Sequence, residues 1–96
     1  MRLSVNMKSP IAIAFGRALR RLRESAGLSQ EALAATVGMD RTYPSLLERG
    51  LRAPTLRMFL MLAPCLGVSP HVLLAETISE LETLRDVREL QRGVLG

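Results

Sequence analysis

Helix-starting and helix-stopping residues recur so regularly along this chain that they leave little room for any other secondary structure. Ser9-Pro10 reads as an N-cap followed by a proline in the first helical position, where the missing N–H costs no intrahelical bond. Ile11, Phe15, Ala18, Leu19, Leu22 and Ala26 follow at helical spacing, and Gly27 ends the run. Ser29 opens a second helix that reaches Val37, with Gly38 after it, and Asp40 opens a third. Thr55, after Pro54, opens a fourth helix. Ser69-Pro70 repeats the first signal and opens a short fifth. Ser79-Glu80-Leu81-Glu82 fits a capping box, which predicts a sixth helix to about Arg92, before Gly93. No stretch alternates as a strand would. The fold class expected is therefore all-α, in one domain of 96 residues. Residues 1–8 read as a loose N-terminal arm, 9–75 as the domain, and 76–96 as an appended C-terminal helix that could dimerise.

Composition closes off several classes of function. Cys65 is the only cysteine, so no intramolecular disulfide can form; it suits a reducing compartment such as the cytoplasm, and its apolar surroundings mark it as a small hydrophobe of the core. His71 is the only histidine, expected on the surface of a helix's first turn. One cysteine and one histidine cannot build a zinc site or a nucleophile–base pair, so neither a metal, a cofactor nor catalysis is expected. Met58 to Ala75 carries no charge, but Pro64, Gly67, Ser69 and Pro70 break it into pieces too short to cross a membrane. Nothing points to a small-molecule ligand. The charge is uneven: residues 1–57 hold ten basic and four acidic side chains, and residues 58–96 hold three basic and five acidic. A basic first half suits a polyanion, most often nucleic acid.

The second and third helices supply the strongest signal. Leu33, Val37, Met39 and Leu47 are apolar, Ala34 is small, and Gly38 follows the second helix. Two helices that cross steeply need a small residue at the crossing, and the chain between them needs a left-handed residue, cheapest as glycine. On these residues, "LSQEALAATVGMDRTYPSLLERG" resembles the helix-turn-helix of the lambda-repressor-like (Xre) family. "APTLRMFLMLAPCLGVSP" resembles that family's fourth and fifth helices, so the likeness covers about residues 10 to 75.

The resemblance implies a sequence-specific binder of double-stranded DNA, a small transcriptional regulator of repressor or controller type. Its third helix, about 41–49, would lie in the major groove. Wound at about 100° per residue, that segment turns Tyr43, Pro44 and Leu47 to one side. Arg41, Thr42, Ser45 and Arg49 fall on the other, with Leu46 at the edge. Arg41, Thr42, Ser45 and Leu46 are therefore the expected base contacts. Ser29 and Gln30, at the amide-rich start of the second helix, and Arg49 and Arg52 are the expected phosphate contacts. The family's glutamine matching Gln30 holds the DNA backbone, and Arg23 and Glu48 match positions that pair in some relatives. With Asp40 as cap, Pro44 is the fourth helical residue, so the first turn is expected to be loosened but helical. Pro64 is expected to kink or end the fourth helix early.

A palindromic operator and a homodimer are expected partners. The apolar stretch Met58 to Leu62, and the stripe Ile78, Leu81, Leu84, Val87 and Leu90, are candidate dimer surfaces within 56–95. The stripe recurs every three residues and drifts around the helix, so it is not a coiled-coil seam. It could cover its own chain or a second one. A reading from another class is a protein-interaction module, such as an antitoxin whose C-terminal helix covers a partner protein. A strongly acidic tail would favour that; this one is only mildly acidic.

Overall fold

The computed structural model describes residues 9–95, and side chains over residues 9–87. The expected arm at 1–8 and the side chain of Leu90 lie outside these described residues. Five helices follow in order: α1 Pro10–Ser25, α2 Gln30–Val37, α3 Tyr43–Glu48, α4 Leu56–Cys65 and α5 Pro70–Leu95. Ser9, Ser29 and Thr55 each accept a backbone amide three residues on, as the cap signals predict. The helices close around Leu19, Leu33, Leu47, Leu62 and Leu73, all fully buried, with Phe15, Val37, Ala63 and Leu66 beside them. Each such leucine contributes about 1.5–3 kcal/mol by leaving water.

Two boundaries differ from those expected. The fifth and sixth helices are one: α5 runs unbroken for 26 residues. The Ser79 capping box is not used, because Ser79 lies mid-helix and its carbonyl accepts the Thr83 hydroxyl at 3.1 Å. Nothing between 70 and 92 is a Gly or Pro that would stop the helix, and packing of Leu73 and Thr77 against the body carries it through. The stripe is only half covered by its own chain: Leu81 and Leu84 are half-buried, while Ile78 and Val87 are 46% and 45% exposed.

The third helix also starts later than Arg41. Asp40, Arg41 and Thr42 form a tight turn, in which the Tyr43 amide reaches the Asp40 carbonyl at 3.0 Å, and α3 begins at Tyr43. Pro44 thus sits in the second helical position rather than the fourth, where it has no helical bond to lose. Its ring is fully buried and fills core space that an aliphatic side chain could otherwise take. Asp40 sets the boundary: its carboxylate accepts the Thr42 amide at 2.8 Å and builds the turn that precedes the helix.

Pro64 ends α4 as expected, one residue before the last, and the chain turns through Gly67 with Val68 N–H bonding back to the Ala63 carbonyl at 3.1 Å. Cys65 is half-buried against the core, and His71 is exposed in the first turn of α5. Two residues expected inside are not: Ile11 is 60% exposed, and Ala26 is the exposed C-cap of α1. Among the described residues, no single helix is long and apolar enough to cross a membrane; α4 and the start of α5 meet at a bend of 107°.

Candidate nucleic-acid interface

The surface that carries the basic and short polar residues is built on a close approach of backbones. At Gly16, in the middle of α1, an added Cβ would lie 2.3 Å from the Leu47 carbonyl oxygen and 2.7 Å from that of Glu48. Only glycine lets α1 come this near to the end of α3. Gly50 finishes the same contact: its φ of +73° closes α3, and its α-carbon side rests on Ile13, 3.0 Å from a would-be Cβ. Sequence reading passed over Gly16. A glycine inside an otherwise helical run was the available signal.

A buried ion pair fixes α3 from behind. Arg23 Nε donates to Glu48 Oε2 at 2.6 Å, Nη2 donates to Oε1 at 3.1 Å, and Nη1 donates to the Leu28 carbonyl at 2.7 Å. The two side chains are 11% and 4% exposed. The two-pronged bond to Glu48 outweighs burial and holds the Arg23 guanidinium firmly in its charged form. Gln30 Nε2 donates to the same Glu48 Oε1 at 3.0 Å. One carboxylate therefore ties α1, the start of α2 and the end of α3 together. The Arg23–Glu48 pairing implied by the resemblance is present.

In front of this pair lies a shallow concave surface. Gln30, Arg41, Thr42, Ser45, Leu46 and Arg49 line it, six of the eight candidate DNA contacts. Arg41 and Thr42 reach it from the turn before α3 rather than from the helix itself. Arg49 is laid back along α3, its Nε donating to Ser45 Oγ at 3.2 Å and to the Ser45 carbonyl at 3.3 Å. Ser29 adjoins the surface through Gln30; its Oγ accepts the Ala32 amide at 2.9 Å and keeps its own proton for another partner. Arg52 is exposed in the loop after α3 and does not line the concavity. Glu31 does line it, and was not anticipated; in sequence an acid in a helix's first turn reads as dipole compensation. Among the described residues no group of His, Cys, Asp and Glu could hold a metal ion.

The chemistry of the surface is that of groove recognition: guanidinium forks, hydroxyls and an amide along one edge of α3, with an amide-bearing helix start at one side. Known proteins resemble this chain in sequence and fold. Control protein C.MunI of Mycoplasma sp is 40% identical over 73 residues, spanning 75% of this chain and 93% of that protein. The clp gene regulator ClgR of Corynebacterium glutamicum superposes with a TM-score of 0.82 at 25% identity, over 92% of this chain and 94% of the other. The restriction-modification controller protein C.Esp1396I, solved as a tetramer in complex with its natural 35 base-pair operator, superposes with a TM-score of 0.70 at 30% identity, over 77% of this chain and 97% of the other. The helix-turn-helix domain profile matches residues 14–76, and with that match the chain belongs to the helix-turn-helix domain family.

Proposed function

We propose that this protein is a sequence-specific double-stranded DNA-binding transcriptional regulator that acts as a homodimer on a palindromic operator. The observation that carries the reading is the concave surface in which Arg41, Thr42, Ser45, Leu46, Arg49 and Gln30 converge over the Arg23–Glu48 pair. Arg41, Thr42, Ser45 and Leu46 read base edges. Ser29, Gln30, Arg49 and Arg52 hold phosphates and set register. The complex of C.Esp1396I with its operator supports a DNA partner. Exposed Leu56, Leu60, Met61 and Ile78 on α4 and α5 support dimerisation away from α2 and α3. Half-sites then lie about 34 Å apart, one turn of DNA. A DNA partner and a lone thiol support a cytoplasmic site of action.

The test separates reading from holding. Selection from random duplexes should enrich a palindrome. Arg41→Ala should then relax preference at one base position per half-site, costing about 1–3 kcal/mol for the specific duplex. Arg52→Ala should weaken specific and random duplexes alike, with a log–log salt slope shallower by about 1. If Arg41→Ala lowers affinity equally for every sequence across the salt series, the proposed reader is wrong.

A further inference from the structure

The hydrogen bonds inside the turn before α3 give the concave surface a fixed polarity. A threonine hydroxyl has one proton to donate. In Thr42 that proton goes to Asp40 Oδ1 at 2.6 Å, and the Thr42 backbone amide donates to the same oxygen at 2.8 Å. Both bonds lie open to solvent, and because a bond to a carboxylate is about twice as strong as a neutral one, this orientation of the hydroxyl is the favoured one. The two bonds from Thr42, aided by the charge of Arg41, keep the Asp40 carboxyl below its usual range and hence ionised at neutral pH. What Thr42 can offer outward is lone pairs. Ser45, on the same surface, is the reverse: its Oγ accepts from Arg49 Nε, so its proton is free to point away from the protein.

The bases divide along the same line. In the major groove adenine and cytosine present an amino N–H donor where guanine and thymine present a carbonyl oxygen. We infer that Thr42, positioned by Asp40, selects an amino base, adenine or cytosine, over a keto base at one position of each half-site. A keto oxygen there would meet hydroxyl lone pairs with a carboxylate behind them. The inference rests on the reading that this surface enters the major groove; Asp40 acts through Thr42 and touches no base.

Sequence selection from random duplexes, followed by affinity measurements on single-base variants of the enriched site, tests it in the full chain. The wild type should prefer A or C over G or T at one position by about fivefold or more. Thr42→Val keeps the shape and both methyl-sized branches but has no hydroxyl, and should lose that preference. Asp40→Ala frees the hydroxyl to donate, and should bring G and T to within about twofold of A and C. Asp40→Asn keeps an accepting oxygen and should retain the preference. Thermal melts establish that each variant is folded; if Asp40→Ala is not, Thr42→Val and Asp40→Asn carry the test. A wild type without amino preference, a thymine preference reflecting the methyl group alone, or Thr42→Val selecting the same bases as the wild type would each overturn the inference. Arg41→Ala tells the two levels apart. If it relaxes one position while Thr42→Val relaxes none, the surface reads DNA but Thr42 does not; if neither variant relaxes any position, both the reading and the inference fall.

Discussion

The two sides of this molecule finish their chemistry in opposite ways. On the α1–α3 side every demand is met within the chain. Gly16 and Gly50 let backbones touch, Arg23 and Glu48 satisfy each other, and among the described residues no buried side-chain polar atom lacks a partner. On the α4–α5 side large apolar side chains are left in water: Leu56 is 74% exposed, Leu60 48% and Ile78 46%, and Leu56 shares an apolar groove with Ile11. A protein can leave polar groups facing solvent at little cost, but a cluster of exposed leucines marks a surface that another molecule covers. The difference teaches where to look for partners. The internally satisfied side presents polar groups suited to a polyanion, and the other side presents apolar groups suited to a protein.

Substitutions can break that contrast, and the buried pair should respond most. Glu48→Ala leaves the Arg23 guanidinium nearly buried without its carboxylate and releases Gln30, so a loss of about 3–5 kcal/mol is expected in urea denaturation. A loss under 1 kcal/mol would mean that water replaces Glu48 and that this side is not dry. Next comes Gly16→Ala. In a free helix the change would stabilise by about 1 kcal/mol. Here the added methyl collides with two backbone carbonyls that have no rotamer to change, and the expected result is a loss of about 3 kcal/mol, again read from urea melts. An increase in stability would show that α1 and α3 can separate freely.

The other side should behave in the reverse manner. Leu60→Glu combined with Ile78→Glu is expected to change monomer stability by no more than about 0.5 kcal/mol, since both side chains are already about half exposed. The same pair should weaken self-association at least tenfold, or about 1.4 kcal/mol, in sedimentation at micromolar concentration. A wild type that stays monomeric with and without operator DNA would instead assign the apolar side to a different protein, as the antitoxin-like alternative holds.

Much of the fold was legible in the chain because helix ends are local chemistry. Ser9, Ser29, Thr55 and Ser69 cap within three residues of themselves, and Gly38 and Gly50 close α2 and α3 at positive φ where a side chain would be strained. The same holds for the crossing of α2 and α3, which Ala34 and Gly38 announce by size and backbone freedom, and for six of the eight candidate contacts that do gather on one surface. The errors came where local signals compete with contacts far along the sequence. Ser79 and Glu82 read as a helix start, yet α5 was already held by Leu73 and Thr77 and had no reason to stop. Asp40 read as the cap of α3, but its carboxylate bonds Thr42 and builds a turn, so the helix waits for Tyr43 and Pro44.

By itself, then, the sequence determined the all-helical class, the helix-turn-helix and the polar edge of α3, since each follows from residues within a few positions of one another. Tertiary structure alone decided that Gly16 must be glycine, that Gln30 joins the Glu48 carboxylate, and that Ile11, Leu60 and Ile78 remain uncovered. Those outcomes depend on how closely two helices approach and on which apolar faces run out of partners. Both are sums over contacts between distant segments, and no local pattern carries them.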